Sequence, residues 1–165
     1  MKSAILAFVM FLISSSYGFA GLKQEPVILN QATSPLKITE FKLKYGKEFG
    51  SSYEGLYCNL KYQNIMDKKV QAMSFQFIFF DVFNEHLRTF GGFAIEDINP
   101  GAAKTGKWTP SFYSDYSTHT CFVYVGKARF EDGSIWSANE DEMLETINTQ
   151  MESKLSIEEL EEKKE

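Results

Sequence analysis

The stretch VQAMSFQFIFFDVF, from Val70 to Phe83, decides the fold. Met73, Phe75, Phe77, Phe79 and Phe83 fall on one face of an extended strand, because side chains there alternate with a period of two. Ile78, Phe80 and Val82 make the second half of the other face apolar as well. A strand apolar on both faces sits in the middle of a sheet and is covered from both sides. Asn84-Glu85 then turns the chain.

On the N-terminal side, Leu56, Cys58, Leu60 and Tyr62 alternate with Tyr57, Asn59 and Lys61. That pattern predicts a half-buried strand over Tyr53 to Tyr62 with its cysteine pointing inward. Gln63 to Lys69 reads as a polar turn. Leu36 to Tyr45 alternates but changes phase, from Leu36 and Ile38 to Phe41, Leu43 and Tyr45, which predicts a β-bulge or a strand switching sheets.

On the C-terminal side, Leu87 to Ile98 holds one or two short strands around Gly91-Gly92. Asn99-Pro100-Gly101 is a turn, and Ala102 to Ser117 reads as a long connection with Trp108 near its middle. Thr118 to Phe130 is again a strand. His119, Cys121, Val123 and Val125 share one face, and Phe122, Tyr124, Ala128 and Phe130 the other. Asp132-Gly133 between strand-like flanks predicts a hairpin returning through Ile135 and Trp136. Short strands separated by turns point to a β-sandwich.

After Ser137 the period changes. Asn139 with Glu142 three residues on is a helix start, and Met143, Ile147, Met151 and Leu155 recur every four residues as a narrow apolar stripe. Ser156 with Glu159 predicts the cap of a second helical segment. Charge divides at the same place. From Gly21 to Ala138 thirteen Lys/Arg face twelve Asp/Glu, whereas from Asn139 onward three Lys face ten Asp/Glu. The chain has no basic block to neutralise phosphates, so nucleic acid is not an expected partner.

The first twenty residues have the plan of a cleavable signal peptide: Lys2, an apolar run from Ala4 to Ile13, then Gly18 and Ala20 as small residues before the cut. An apolar run of ten is about half of what a bilayer span needs. The expected product is an exported domain, periplasmic or secreted, with no membrane anchor after cleavage. In an oxidising compartment the two cysteines, Cys58 and Cys121, read most simply as one disulfide.

Three stretches together carry a family resemblance: Phe75 to Asn84, Asn99-Pro100-Gly101 leading to Trp108, and Phe122 to Trp136 with its Asp-Gly-Ser turn. From Leu36 to Trp136 the chain resembles exported bacterial immunoglobulin-like domains of unknown function. The resemblance implies a fold and no activity. The antibody pattern is matched only in part. Met73 and Phe75 stand where a buried Trp is expected, and His119 stands where a Tyr precedes the second cysteine by two. The expected fold is mainly β: an immunoglobulin-like antiparallel β-sandwich with a C-terminal acidic α-helix. Its parts are a signal peptide over 1–20, an extended lead-in over 21–35, the sandwich over 36–138 and the acidic helix and tail over 139–165.

Catalytic chemistry is thinly supported. His119 and Cys121, two apart on one strand, form a two-ligand metal candidate with His86 as a further histidine, but a disulfide would remove the thiolate. Asp81, Glu96, Asp97 and Asp115 lack calcium-loop spacing, no nucleophile elbow is present, and no cofactor is expected. The expected function is a non-enzymatic binding or accessory module. The alternatives are an exported hydrolase or metal-dependent enzyme of unrecognised type, and an envelope-assembly subunit that docks a protein partner through Met143, Ile147, Met151 and Leu155.

Overall fold

The computed structural model describes residues 25–47, 54–110 and 117–162. The signal peptide, the start of the lead-in, most of the loop before the first cysteine strand, Asp115 and the last three residues lie outside them. The described chain is mainly β, with two sheets and two short helices.

The strands are β1 (Glu25–Ile28), β2 (Leu36–Lys47), β3 (Glu54–Asn64), β4 (Val70–Phe80), β5 (His86–Ile98), β6 (Ala103–Trp108), β7 (Thr120–Phe130) and β8 (Ile135–Ser137). The helices are α1 (Glu140–Met151) and α2 (Ile157–Glu162). One sheet has the order β1-β7-β4-β5, with β8 also on β7; the other has the order β2-β3-β6. β1 runs parallel to β7 along Thr120 to Val123, and β8 runs antiparallel along Lys127 to Arg129. The two short strands therefore share one side of β7 in tandem, because β4 takes the other side.

The sheets face each other across one core. Leu36, Ile38, Phe41, Leu56, Leu60 and Tyr62 come from one side; Met73, Phe75, Phe77, Phe79, Val123 and Val125 come from the other. The β2 phase change is a bulge between Ile38 and Glu40, so Ile38 and Phe41 both reach the interior. Asn64 ends β3 fully buried; its amide donates to the Lys68 and Ile98 carbonyls and so closes the turn into β4. The hairpin at Asp132-Gly133 forms, with Gly133 at a φ of +82° that a β-branched residue would resist.

The outer face of the larger sheet carries a second core. Ile78, Phe80, Phe122 and Tyr124 point away from the sandwich and are covered by Met143, Ile147 and Met151 of α1, with Leu29 beside them. The helix starts where Asn139 caps it, accepting from the Glu142 N–H at 3.4 Å. The Gln31 side chain grips both backbone groups of Asn139, at 2.9 and 3.1 Å. α2 opens on a reciprocal capping box: the Ser156 N–H donates to the Glu159 carboxylate and the Glu159 N–H to the Ser156 hydroxyl. Each of the three α1 anchors stabilises the docked helix by about 1.5–3 kcal/mol through burial.

Several expectations need correction. β4 ends at Phe80, and Val82 and Phe83 lie exposed in the following turn, because the Asp81 carboxylate gathers the N–H groups of Phe83 and Glu85 there. The Gly91-Gly92 pair interrupts nothing, since β5 is continuous. The long connection contains β6, on which Trp108 is the last residue. In β7, Gly126 is an extra residue: Ser74 pairs with Lys127 while Phe75 pairs with Val125. This bulge reverses the phase, so Ala128 and Phe130 join the inner core with Val125 rather than the outer face with Tyr124.

Candidate functional site

Helix α1 covers only part of the larger sheet's outer face. Beyond it, β4 presents the small residues Ala72 and Ser74, which leave a depression along the central strand. Phe93 and Ile95 of β5 wall one side, and Lys127 and Arg129 of β7 with Ile135 of β8 wall the other. The groove measures about 320 Å³, and no acidic residue lines it. Ile95 is 90% exposed, Phe93 72% and Ile135 62%, so three large apolar side chains of one patch stand in solvent. Single exposed apolar residues are ordinary, whereas a contiguous group marks an interaction surface.

Two backbone features build this surface. The first is the bulge at Gly126, which turns Lys127 and Arg129 outward. The second lies behind β5. Trp108 leans from the opposite sheet into the core, 5.0 Å from the Phe75 ring and 6.0 Å from the Phe77 ring, and donates its indole N–H to the Phe93 carbonyl. A Cβ on Gly92 would lie 2.8 Å from the Trp108 ring and 2.9 Å from that of Phe77. Small Gly92 and Ala94 must therefore face inward, which leaves Phe93 and Ile95 to face out. Among the described residues, neither Lys127 nor Arg129 has an ion-pair partner.

The sequence-predicted residues separate into three groups. Cys58 on β3 and Cys121 on β7 meet across the core, fully buried and in side-chain contact, both as thiols. Burial first, and then the neighbouring Cys58 thiol, push the Cys121 thiol well above its ordinary pKa. The histidines lie apart from any metal-binding cluster. His119 stands outside β7 with Nδ1 3.1 Å from the Thr120 hydroxyl, and His86 is buried against Phe80 with Nε2 3.2 Å from the Thr89 hydroxyl. Among the described residues, no three His, Cys, Asp or Glu side chains gather into a metal-binding group. Finally, Met143, Ile147 and Met151 are buried against the chain's own sheet, with Leu155 half-buried beside them. That stripe is therefore covered by this chain and is not open to a partner.

What α1 shows to solvent is acidic. Asp141, Leu144, Glu145 and Asn148 line its outward side, and none of its twelve residues is basic. Burial, and then the charges of Glu140 and Glu161, raise the Tyr124 hydroxyl above its ordinary pKa beneath the helix. Elsewhere, the Tyr62 hydroxyl donates to Glu96 at 2.7 Å and Lys104 pairs with Glu96 at 3.0 Å, bridging the two sheets at one edge. Burial alone would raise the Glu96 pKa, but the Tyr62 hydrogen bond and Lys104 outweigh it and hold the carboxyl below its usual value.

No protein-family model matches this chain. No curated protein matches it either. Its fold is similar to a hypothetical protein from Peptoclostridium difficile 630, at 11% identity and a TM-score of 0.55, covering 80% of this chain and 99% of that one. A structural-genomics target, SoR45, aligns at 13% identity and a TM-score of 0.43, covering 63% of this chain and 80% of that one. A DUF1425 family member from Shewanella sp. pv-4 aligns at 11% identity and a TM-score of 0.35, covering 55% and 73%. The first likeness concerns fold alone, and the two below 0.5 do not bear on it.

Proposed function

We propose that this chain is an exported, non-enzymatic binding or accessory module on an immunoglobulin-like β-sandwich. The observation that carries the reading is the half-bare outer face: a groove with exposed Phe93, Ile95 and Ile135 beside two cations. Aromatic and aliphatic anchors with arginine, presented on an open sheet, suit a macromolecular partner better than an enclosed small-molecule pocket would.

Strand order supports the immunoglobulin-like part. β2-β3-β6 follows the order A-B-E, and β8-β7-β4-β5 follows G-F-C-C′, with β1 as an addition. Cys58 and Cys121 then occupy the B and F strands, the places of the inter-sheet disulfide in antibody domains. Their contact in the core supports oxidation to a disulfide after export, and the signal-like segment over 1–20 supports export itself.

A photo-crosslinking residue placed at Ile95 in the protein expressed in its own host tests the binding role. A discrete crosslinked product is expected from position 95, and none from Lys61, exposed on the other sheet. Absence of any product at 95 would refute the role. N-terminal sequencing of the same material should begin at Gly21.

A further inference from the structure

Resting on the binding-module reading, we propose that the partner on the half-bare face is a second copy of this chain, related by a two-fold axis. The argument begins with shape. α1 and α2 lie on one part of the outer face, α2 near Gln76 and Thr89, and the groove occupies the part beside them, so the face is a step about one helix diameter high, ~10 Å. Two such steps interlock when one is rotated by half a turn. The helix ridge of each copy then fills the recess of the other, and the contact closes on itself rather than growing into a filament.

Charge points the same way. The recess carries Lys127 and Arg129, without an ion-pair partner among the described residues. The solvent-facing flank of α1 carries exposed Asp141 and Glu145 beside half-buried Leu144, with no basic residue on the helix. The chain thus holds both halves of a complementary pair, and among the described residues they form no ion pair with each other within one copy. A foreign partner needs only one of the two surfaces, whereas self-association uses both. In the proposed dimer, Asp141 and Glu145 of each copy reach Lys127 and Arg129 of the other. Phe93, Ile95 and Ile135 are shielded by Leu144 and the aliphatic stems around it. Complementary potentials of this kind set orientation and exclude other pairings.

Sedimentation velocity on the mature chain over a broad concentration range tests the proposal. The wild type is expected to dimerise. Lys127→Glu with Arg129→Glu should weaken association roughly tenfold to a hundredfold, and Asp141→Lys with Glu145→Lys should do the same. All four positions are exposed, so each variant should keep the wild-type circular dichroism, and only the Asp141 reversal in the first turn of α1 should lower the melt slightly. Combining all four reversals should restore the dimer, which a merely destabilised variant would not do. A wild type monomeric at every concentration, or a dimer indifferent to either reversal, or no recovery on combination, would each overturn the proposal. The crosslink at Ile95 separates the two levels. A product of twice the chain mass agrees with both readings. A product with a different protein keeps the binding module and overturns the second copy. No product removes both.

Discussion

Adjacent glycines on β5 should respond in opposite directions to the same substitution. Gly91 faces outward opposite Gln76, and a Cβ there would meet its nearest neighbour at 3.7 Å, an ordinary contact. Neither glycine needs a left-handed backbone. Gly91→Ala should therefore stabilise the fold by about 0.4–1 kcal/mol, because the unfolded chain loses freedom and the folded one loses nothing. Gly92→Ala gains the same entropic term, but its methyl enters the space of the Trp108 and Phe77 rings at 2.8 and 2.9 Å. Phe77 is fully buried and the indole is tethered to the Phe93 carbonyl, so neither ring can swing aside cheaply. Overpacking of this kind costs about 1–3 kcal/mol, which exceeds the gain. Net of that gain the loss is up to about 2.5 kcal/mol, for a domain of this size a fall in Tm of up to roughly 8 °C, against a rise of ~1–3 °C for Gly91→Ala. Urea unfolding followed by tryptophan fluorescence measures both. Trp108→Phe, which removes part of the obstructing ring, should make the double variant lose less than the sum of its parts. A Gly92→Ala protein as stable as wild type, or two variants shifted in the same direction, would refute the account of how Trp108 orients β5.

Ile147→Ala should destabilise by about 2–5 kcal/mol in thermal melts, because it empties the centre of the helix–sheet contact, while Leu144→Ala on the solvent side should cost less than about 1 kcal/mol. Equal losses would mean that the helix docks by another face. Mature protein from the exported compartment, unfolded without reductant, should show no free thiols, and reduction should cost ~4 kcal/mol for a loop of about 64 residues. Detection of two thiols would end the disulfide reading. Glu96 has a folded-state pKa below its unfolded value of ~4.3, so its contribution is full above that pH and is lost as pH falls toward the lower folded value. Glu96→Gln should flatten the acid limb of a Tm-versus-pH curve below about pH 4.5, and an unchanged limb would count against the Tyr62–Glu96–Lys104 bridge.

Much of this architecture was legible because it obeys simple periods. Leu56, Cys58, Leu60 and Tyr62 face the core as their alternation requires. The double apolar character of Ile78 and Phe80 announced a cover on the outer face, and the four-residue stripe of α1 supplies it. Both helix caps were readable, since a cap is a local hydrogen-bond pattern. The groove was not legible, because its orientation depends on distant parts. The sequence of β5 assigns Phe93 and Ile95 to neither face; Trp108, arriving from another sheet, fills the side of Gly92 and leaves them the other. Lys127 and Arg129 change faces through an inserted residue that alternation cannot reveal. Two-residue spacing puts His119 and Cys121 on one face, but the Cys121 thiol is buried beside Cys58, the His119 ring lies beside the Thr120 hydroxyl, and no third ligand gathers with them among the described residues.

A strand has two faces, so the extra Gly126 acts on parity. With it, even-numbered residues up to Tyr124 and odd-numbered ones from Lys127 share the outer side of one sheet. Deleting that single residue would send two cations into the core and Ala128 and Phe130 into water, and no side-chain substitution could undo it. The position of the charged surface is thus written in the length of β7 rather than in the identity of its residues. Within this strand, the chain should accept many replacements at the surface and almost no change in count.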